Sequence, residues 1–208
     1  MATIGFIGSG NVGQAIAQRT IAVGYSVVMS NSRGPETLAG LVAQLGPRAR
    51  AAMATATGEA VDIVIVAIPF RSFEHVPVEP LASKIVIDTG NYYAPRDGHI
   101  AALDDGTTSS SELLAAHLPT SKVVKAFNTI IAAQIVDQAV PAGTPHRRAL
   151  PIAGDDASAK RAVTNLIDEI GFDVVDAGPL SEGRRLDPMT AWGPILDAEE
   201  LRRSLALA

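Results

Sequence analysis

Short, continuous runs of apolar and β-branched residues alternate along this chain with Ala-rich stretches of helical period. Residues 3–7, 26–30, 63–68, 84–88 and 122–126 read as strands, followed by 149–153 and 173–176, with 48–53 a weaker one. These runs do not alternate apolar with polar residues, so both of their faces must be covered. That is the mark of a parallel sheet between two layers of helices. Between the first two strands, Val12, Ile16 and Thr20 line a helix face beside Ala17 and Ile21, and Gly24 ends it. Further on, Ala162, Val163, Leu166, Ile167 and Ile170 make a second face, ended by Gly171. The predicted fold class is α/β: a doubly wound, mostly parallel sheet with helices on both faces and a small C-terminal strand–helix–strand extension. The division falls at residues 1–145 and 146–208.

With 47% hydrophobic but only 4% aromatic residues, the core of this 208-residue chain must be built from Ala, Val, Ile and Leu. The absence of cysteine removes disulfides, thiolate metal sites and cysteine nucleophiles. A net charge of −5 argues against a general nucleic-acid binder. The longest apolar run, 63–68, is far below the ~18–20 residues that span a bilayer. The first residues begin a strand rather than a basic and then apolar leader. The expectation is a soluble, cytoplasmic protein with neither membrane nor nucleic acid as partner.

The first strand ends in Gly8-Ser9-Gly10-Asn11-Val12-Gly13, a G-x-G-x-x-G between a strand and a helix. Gly8 permits the tight turn, Gly10 lets a pyrophosphate approach the backbone, and Gly13 lets helix and strand pack closely. The helix start offers free N–H groups and a positive dipole end to phosphates. This context predicts a dinucleotide in a Rossmann-type unit. About 20 residues on, where an NAD site places a carboxylate, the chain reads Ser30-Asn31-Ser32-Arg33. A hydroxyl at Ser32 and a guanidinium at Arg33 suit a 2′-phosphate, which favours NADP(H) over NAD(H); the alternative is a solvated loop arginine.

Ligands in such sheets lie beyond the carboxyl ends of the strands. Those ends carry Ile68, Pro69 and Phe70, then Asn91, then Ala126, Phe127 and Asn128. Each has a structural reading beside the cofactor one: Pro69 as a strand stop, Phe127 as core, the asparagines as turn formers. Two loops, 89–110 and 140–148, are long for this fold. A ring-sized second cleft is expected between Phe70, Tyr92, Phe127 and the 140–148 loop. Hydride transfer between two bound rings needs alignment and exclusion of water rather than a nucleophile, so no catalytic residue is singled out. The Tyr-x-x-x-Lys and G-x-S-x-G patterns are absent. His75, His99, His117 and His146 have no metal-ligand spacing, and the first three read as surface residues.

Taken together, Ile7 to Gly13, Ser32-Arg33, Val123 to Thr129, Gly154-Asp155-Asp156 and Asp176 to Leu180 resemble the deazaflavin-dependent NADP reductases, which exchange a hydride between NADP(H) and coenzyme F-420. Similar NADP-binding domains occur in membrane metalloreductases. The resemblance implies NADP held by Ser9, Gly10, Asn11, Val12, Ser32, Arg33, Ile68 and Pro69, with Ala126-Phe127-Asn128 near the nicotinamide. It implies a small-molecule hydride acceptor, deazaflavin coenzyme F-420 first and a flavin second; a non-enzymatic NADP(H)-sensing module is the alternative. A tail helix from Asp197, capped by Asp197 and Glu200, carries Leu201 and Leu205 four apart. That stripe packs either on its own sheet or on a second subunit. Because the similar reductases associate, a homodimer is expected.

Overall fold

The computed structural model describes residues 2–187 and 194–207. An eight-stranded sheet runs β1 (Thr3–Ile7), β2 (Ser26–Ser30), β3 (Ala49–Ala51), β4 (Ile63–Val66), β5 (Ile85–Asp88), β6 (Lys122–Lys125), β7 (Ala149–Gly154) and β8 (Asp173–Asp176) along the chain. The helices are α1 (Asn11–Ala22), α2 (Ala39–Leu45), α3 (Ala54–Glu59), α4 (Ala94–Asp97), α5 (Ala101–Asp104), α6 (Ser110–His117), α7 (Ala132–Asp137), α8 (Ala157–Ile170), α9 (Gly183–Leu186) and α10 (Ala198–Leu207). No helix among the described residues is long and apolar enough to cross a membrane.

The spatial order is β3-β2-β1-β4-β5-β6-β7-β8, and every neighbouring pair is parallel except β6 with β7. The fold is thus the doubly wound α/β sheet expected. Successive side chains go to opposite faces, as the period of a strand requires. Val27, Met29, Ile65 and Ile87 join α1 and α8 in one core, whereas Val28, Val64, Val66 and Val86 join Leu114 and Leu118 in the other. Ile16 and Ala17 of α1, and Val163, Ile167 and Ile170 of α8, are fully buried in the first of these cores. The predicted helix faces therefore point inward.

β6 and β7 meet along a narrow seam. Val124 pairs with Gly154 and Lys125 with Ala153, so β7 continues past the end of β6. The Arg19 guanidinium bonds the Ile170 carbonyl at 3.0 and 3.2 Å, a cation on the last turn of α8. The capping of α10 matches expectation: Asp197 Oδ1 accepts from Glu199 and Glu200 N–H, and Glu200 Oε2 accepts from Asp197 N–H. Leu201 is buried beside Ala149 and Val175, with Leu205 packed against them. The apolar stripe packs on its own sheet.

Some boundaries move inward. The strand expected over 63–68 ends at Val66, although Ala67 N–H still donates to the Ile7 carbonyl (2.8 Å) before Pro69 turns the chain. The stretch 89–110 is not one long loop, because it contains α4 and α5. A buried carboxylate organises it: Asp97 accepts from the backbone N–H groups of Tyr93 and Arg71.

Candidate functional site

From β1 the chain crosses to β2 on one side, while β4 lies on the other, so the strand order reverses at the β1/β4 pair. A crevice outside the carboxyl ends of the strands opens at such a point. Its floor is the glycine turn. Gly8 has φ +113°, and a Cβ there would collide with the Ala67 carbonyl oxygen. A Cβ on Gly13 would come within 2.5 Å of the Gly8 carbonyl oxygen. Gly10 is different: a Cβ there meets nothing within 4 Å. Its lack of a side chain serves no contact within the chain, and the space is what a pyrophosphate against the backbone requires. Gly10 also precedes α1 with no side-chain cap, leaving the first N–H groups of the helix for a ligand.

The crevice has two halves that share Gly10, Ala67, Ile68 and Pro69. One, about 460 Å³, is walled by Ser9, Asn31, Ser32, Arg33, Ser72 and His75. Asn31 shapes its rim, with Oδ1 accepting from Arg33 N–H (2.9 Å) and Nδ2 donating to Thr37 Oγ1 (2.9 Å). The exposed Arg33 guanidinium bonds to no other described residue. His75 is exposed as expected, but it stands on this wall. His117, expected at the surface, is instead half-buried, with Nε2 2.8 Å from the Val76 carbonyl.

The other half, about 390 Å³, is walled by Asn11, Val12, Asn91, Tyr93, Arg96 and Asn128. Two asparagines close on each other: Asn91 Nδ2 donates to the Asn128 carbonyl (2.8 Å), and Asn128 Nδ2 donates to Asn91 Oδ1 (3.1 Å) and to the Leu186 carbonyl (3.0 Å). Asn128 Oδ1 is buried and has no partner among the described residues. A left-handed kink at Phe127, φ +61°, separates the two side chains that follow β6. Such a conformation costs an aromatic residue about 1–3 kcal/mol. It leaves Phe127 buried in the core yet bordering the crevice, beside Asn128, which faces it.

The fold thus brings Gly8, Ser9, Gly10, Asn11, Val12, Ser32, Arg33, Ile68, Pro69, Asn91, Phe127 and Asn128 to one crevice, with Gly13 behind it as a packing residue. Ala126 lies in the core with no exposed surface. Phe70 is also buried, stacked on Phe73 at 4.8 Å, and lines neither half. The expected ring cleft needs correcting as well. Tyr92 sits edge-on to Phe70, its hydroxyl 2.7 Å from Asp104 Oδ1, and lines a separate hollow. The 140–148 loop contributes nothing to the crevice. Its arginines turn inward, Arg147 to Asp168 and Asp173, Arg148 to Gln134, Gln138 and the Thr129 carbonyl.

Sequence reasoning missed Tyr93 and Arg96, and it missed the support behind them. Lys125 Nζ, fully buried, reaches the Gly90 carbonyl (3.0 Å), Ser110 Oγ (3.2 Å), Ser111 Oγ (3.1 Å) and Asp187 (2.7 Å). Asp88 accepts from Ser111 Oγ (2.6 Å) and Gly90 N–H (2.8 Å). Gly90, on the crevice wall, is thereby held at both its N–H and its carbonyl. The available signal was a charged residue at the carboxyl end of each of two strands, Asp88 after Ile85-Val86-Ile87 and Lys125 after Val123-Val124. Among the described residues no group of three or more His, Cys, Asp or Glu side chains converges as a metal site.

A nicotinamide dinucleotide fits this chemistry: an open backbone approach at Gly10, an unengaged cation at one end, and an orphaned acceptor, Asn128 Oδ1, at the other. Comparison with known proteins agrees. Residues 3–92 match the family described as NADP oxidoreductase, coenzyme F420-dependent. The structure of hypothetical protein SMa0349 from Sinorhizobium meliloti is 31% identical, with a TM-score of 0.79 over 95% of this chain and 97% of that one. A structure named as a candidate F420-dependent NADP reductase, from Arthrobacter sp. FB24, is 26% identical, with a TM-score of 0.78 over 91% and 90% of the two chains. Among curated proteins, Metalloreductase STEAP3 of Rattus norvegicus is 33% identical over 88% of this chain. The chain spans only 35% of that relative's length. Imine reductase from Myxococcus stipitatus, 16% identical with a TM-score of 0.65, shares the fold. The family likeness thus rests on residues 3–92, which match the NADP oxidoreductase, coenzyme F420-dependent family, within a fold shared along nearly the whole chain with the Sinorhizobium meliloti protein.

Proposed function

We propose that this protein is an oxidoreductase that binds NADP(H) and transfers a hydride between it and a planar acceptor, a deazaflavin such as coenzyme F420 first and a flavin second. The observation that carries the reading is the single crevice running from Arg33, across the open backbone of Gly10, to the orphaned amide oxygen of Asn128. Arg33 and Ser32 receive the 2′-phosphate, and the start of α1 receives the pyrophosphate. Asn128 Oδ1 accepts from the nicotinamide carboxamide N–H, which fixes the ring's rotation. The chain's part in the chemistry is to align two rings and exclude water, so it needs no nucleophile. Space remains beside Tyr93 and Arg96 for a second ring, which favours an enzyme over a sensing module.

The test is spectroscopic. NADPH is added to the protein without oxygen, followed by coenzyme F420, FMN or FAD in turn, and NADPH absorbance is followed. Oxidation is expected with the deazaflavin, and more slowly with a flavin. Tight NADPH binding with no oxidation by any of the three would establish the sensing module instead.

A further inference from the structure

We propose that Tyr93 and Arg96 form the shelf on which the hydride acceptor lies, with Arg96 receiving the negative charge that the acceptor gains on reduction; this rests on the hydride-transfer reading above. Both residues wall the half of the crevice that contains Asn128. The Arg96 guanidinium carbon stands 4.9 Å from the Tyr93 ring centroid. Arg96 Nε and Nη2 donate to the two carboxylate oxygens of Asp97 at 2.9 and 2.7 Å, and Nη2 also donates to the Asn91 carbonyl at 2.6 Å. Asp97, its side chain fully buried, also accepts from Tyr93 N–H at 2.9 Å. The shelf is therefore built and rigid.

What this framework leaves unused is informative. Arg96 Nη1 and the Tyr93 hydroxyl bond to no described residue, and both side chains are exposed on the crevice wall, Arg96 by 40% and Tyr93 by 38%. The orphaned Asn128 oxygen in the same cleft independently marks it as a place for a ligand. An aromatic face beside a guanidinium donor recognises a flat ring that carries an oxygen at its edge.

The chemistry supplies the reason for a cation. The C4–H bond of the dihydronicotinamide breaks and its electron pair leaves with the hydrogen. A new bond to hydrogen forms at the acceptor ring, NADPH is oxidised to NADP⁺, and the acceptor is reduced. The acceptor gains one negative charge, which spreads onto conjugated carbonyl oxygens. A fixed guanidinium N–H at that edge binds the reduced acceptor more strongly than the oxidised one. An imine, reduced to a neutral amine, would make no such use of it.

The experiment titrates oxidised and reduced coenzyme F420, with FMN as a second probe, into unaltered and variant protein. NADP⁺ is present with the oxidised acceptors and NADPH with the reduced ones, so that no hydride moves. NADPH affinity is read separately from the fluorescence of the bound nucleotide. Tyr93→Ala, at an exposed position, should weaken acceptor binding about three- to tenfold, while Tyr93→Phe stays near the unaltered protein. Arg96→Gln should weaken reduced acceptor about tenfold or more, and oxidised acceptor clearly less. NADPH affinity should hold in every variant. Unchanged acceptor binding in both Tyr93→Ala and Arg96→Gln, or an equal loss of NADPH binding, overturns the shelf. So does an unaltered protein that binds NADPH and no planar acceptor. An unaltered protein that fails to bind NADPH overturns the hydride-transfer reading itself.

Discussion

Lys125 Nζ lies 2.7 Å from Asp187 Oδ1, and the pair joins the end of β6 to the residue that follows α9. The lysine side chain has no exposed surface and the aspartate side chain only 19%. Three further oxygens, from Gly90, Ser110 and Ser111, complete the shell of the ammonium. Removing one partner of such a pair strands the other in a poorly solvated place. Lys125→Met should therefore lose about 3–5 kcal/mol of stability, toward the lower end because Asp187 keeps some water. The double variant Lys125→Met/Asp187→Leu should lose less than the single one. Urea unfolding of the three proteins decides this, and a single variant as stable as the parent would refute it.

Under the proposed function, Arg33 sets the choice of nucleotide. A charge-assisted bond to the 2′-phosphate contributes about 1.5–3 kcal/mol, or roughly ten- to a hundredfold in affinity. Arg33→Ala should weaken NADPH by that factor and leave NADH almost unchanged. Calorimetric titration of both nucleotides makes the comparison, and equal curves for the unaltered protein would end the assignment to NADP.

The glycine turn offers two substitutions that look alike and should behave differently. Gly10→Ala places its methyl in open space, so the variant should fold with an unchanged thermal midpoint and lose NADPH binding. Gly8→Ala combines a positive φ with a collision against backbone, so folding itself should suffer. Normal NADPH binding by Gly10→Ala would show that the phosphates lie elsewhere.

One contact makes the tail helix sensitive to pH. His146 Nδ1 stands 2.9 Å from Asp197 Oδ2 at the start of α10. The hydrogen bond to Asp197, and then its charge, raise the His146 pKa above its ordinary value. The folded-state pKa exceeds the unfolded one, so this tie is at full strength below about pH 6.5 and is lost as pH rises through the raised value. Hydrogen exchange across α10 should be slower in the unaltered protein than in His146→Gln at acidic pH. The two should converge in alkaline solution, and parallel behaviour at both ends of the range would exclude the effect.

Much of the sheet was legible because a strand buried on both faces must be apolar throughout. Thr3–Ile7 and Ser26–Ser30 stand where the sequence places them, and so does the edge strand Asp173–Asp176, whose apolar pair lies between two aspartates. The glycine turn was legible because its constraints are local, within six consecutive residues. The far end of the crevice was not, because it depends on long-range partners. Nothing in the local pattern around Asn91 announces that it will pair with Asn128, or that Asp97 will hold Arg96 over Tyr93. Phe70 and the 140–148 loop misled for the same reason. A phenylalanine after a strand and arginines in a loop look available, yet tertiary packing turns all of them inward.

The two outermost strands carry a last consequence. β3 is three residues long with an exposed Arg50 at its centre, and β8 is bounded by Asp173 and Asp176, each paired to a basic side chain. A strand added from another molecule would have to strip water from Arg50 at one border or crowd those ion pairs at the other, and it would find few backbone groups to bond in return. Both borders of this wide, strongly apolar sheet thereby disfavour its growth from molecule to molecule.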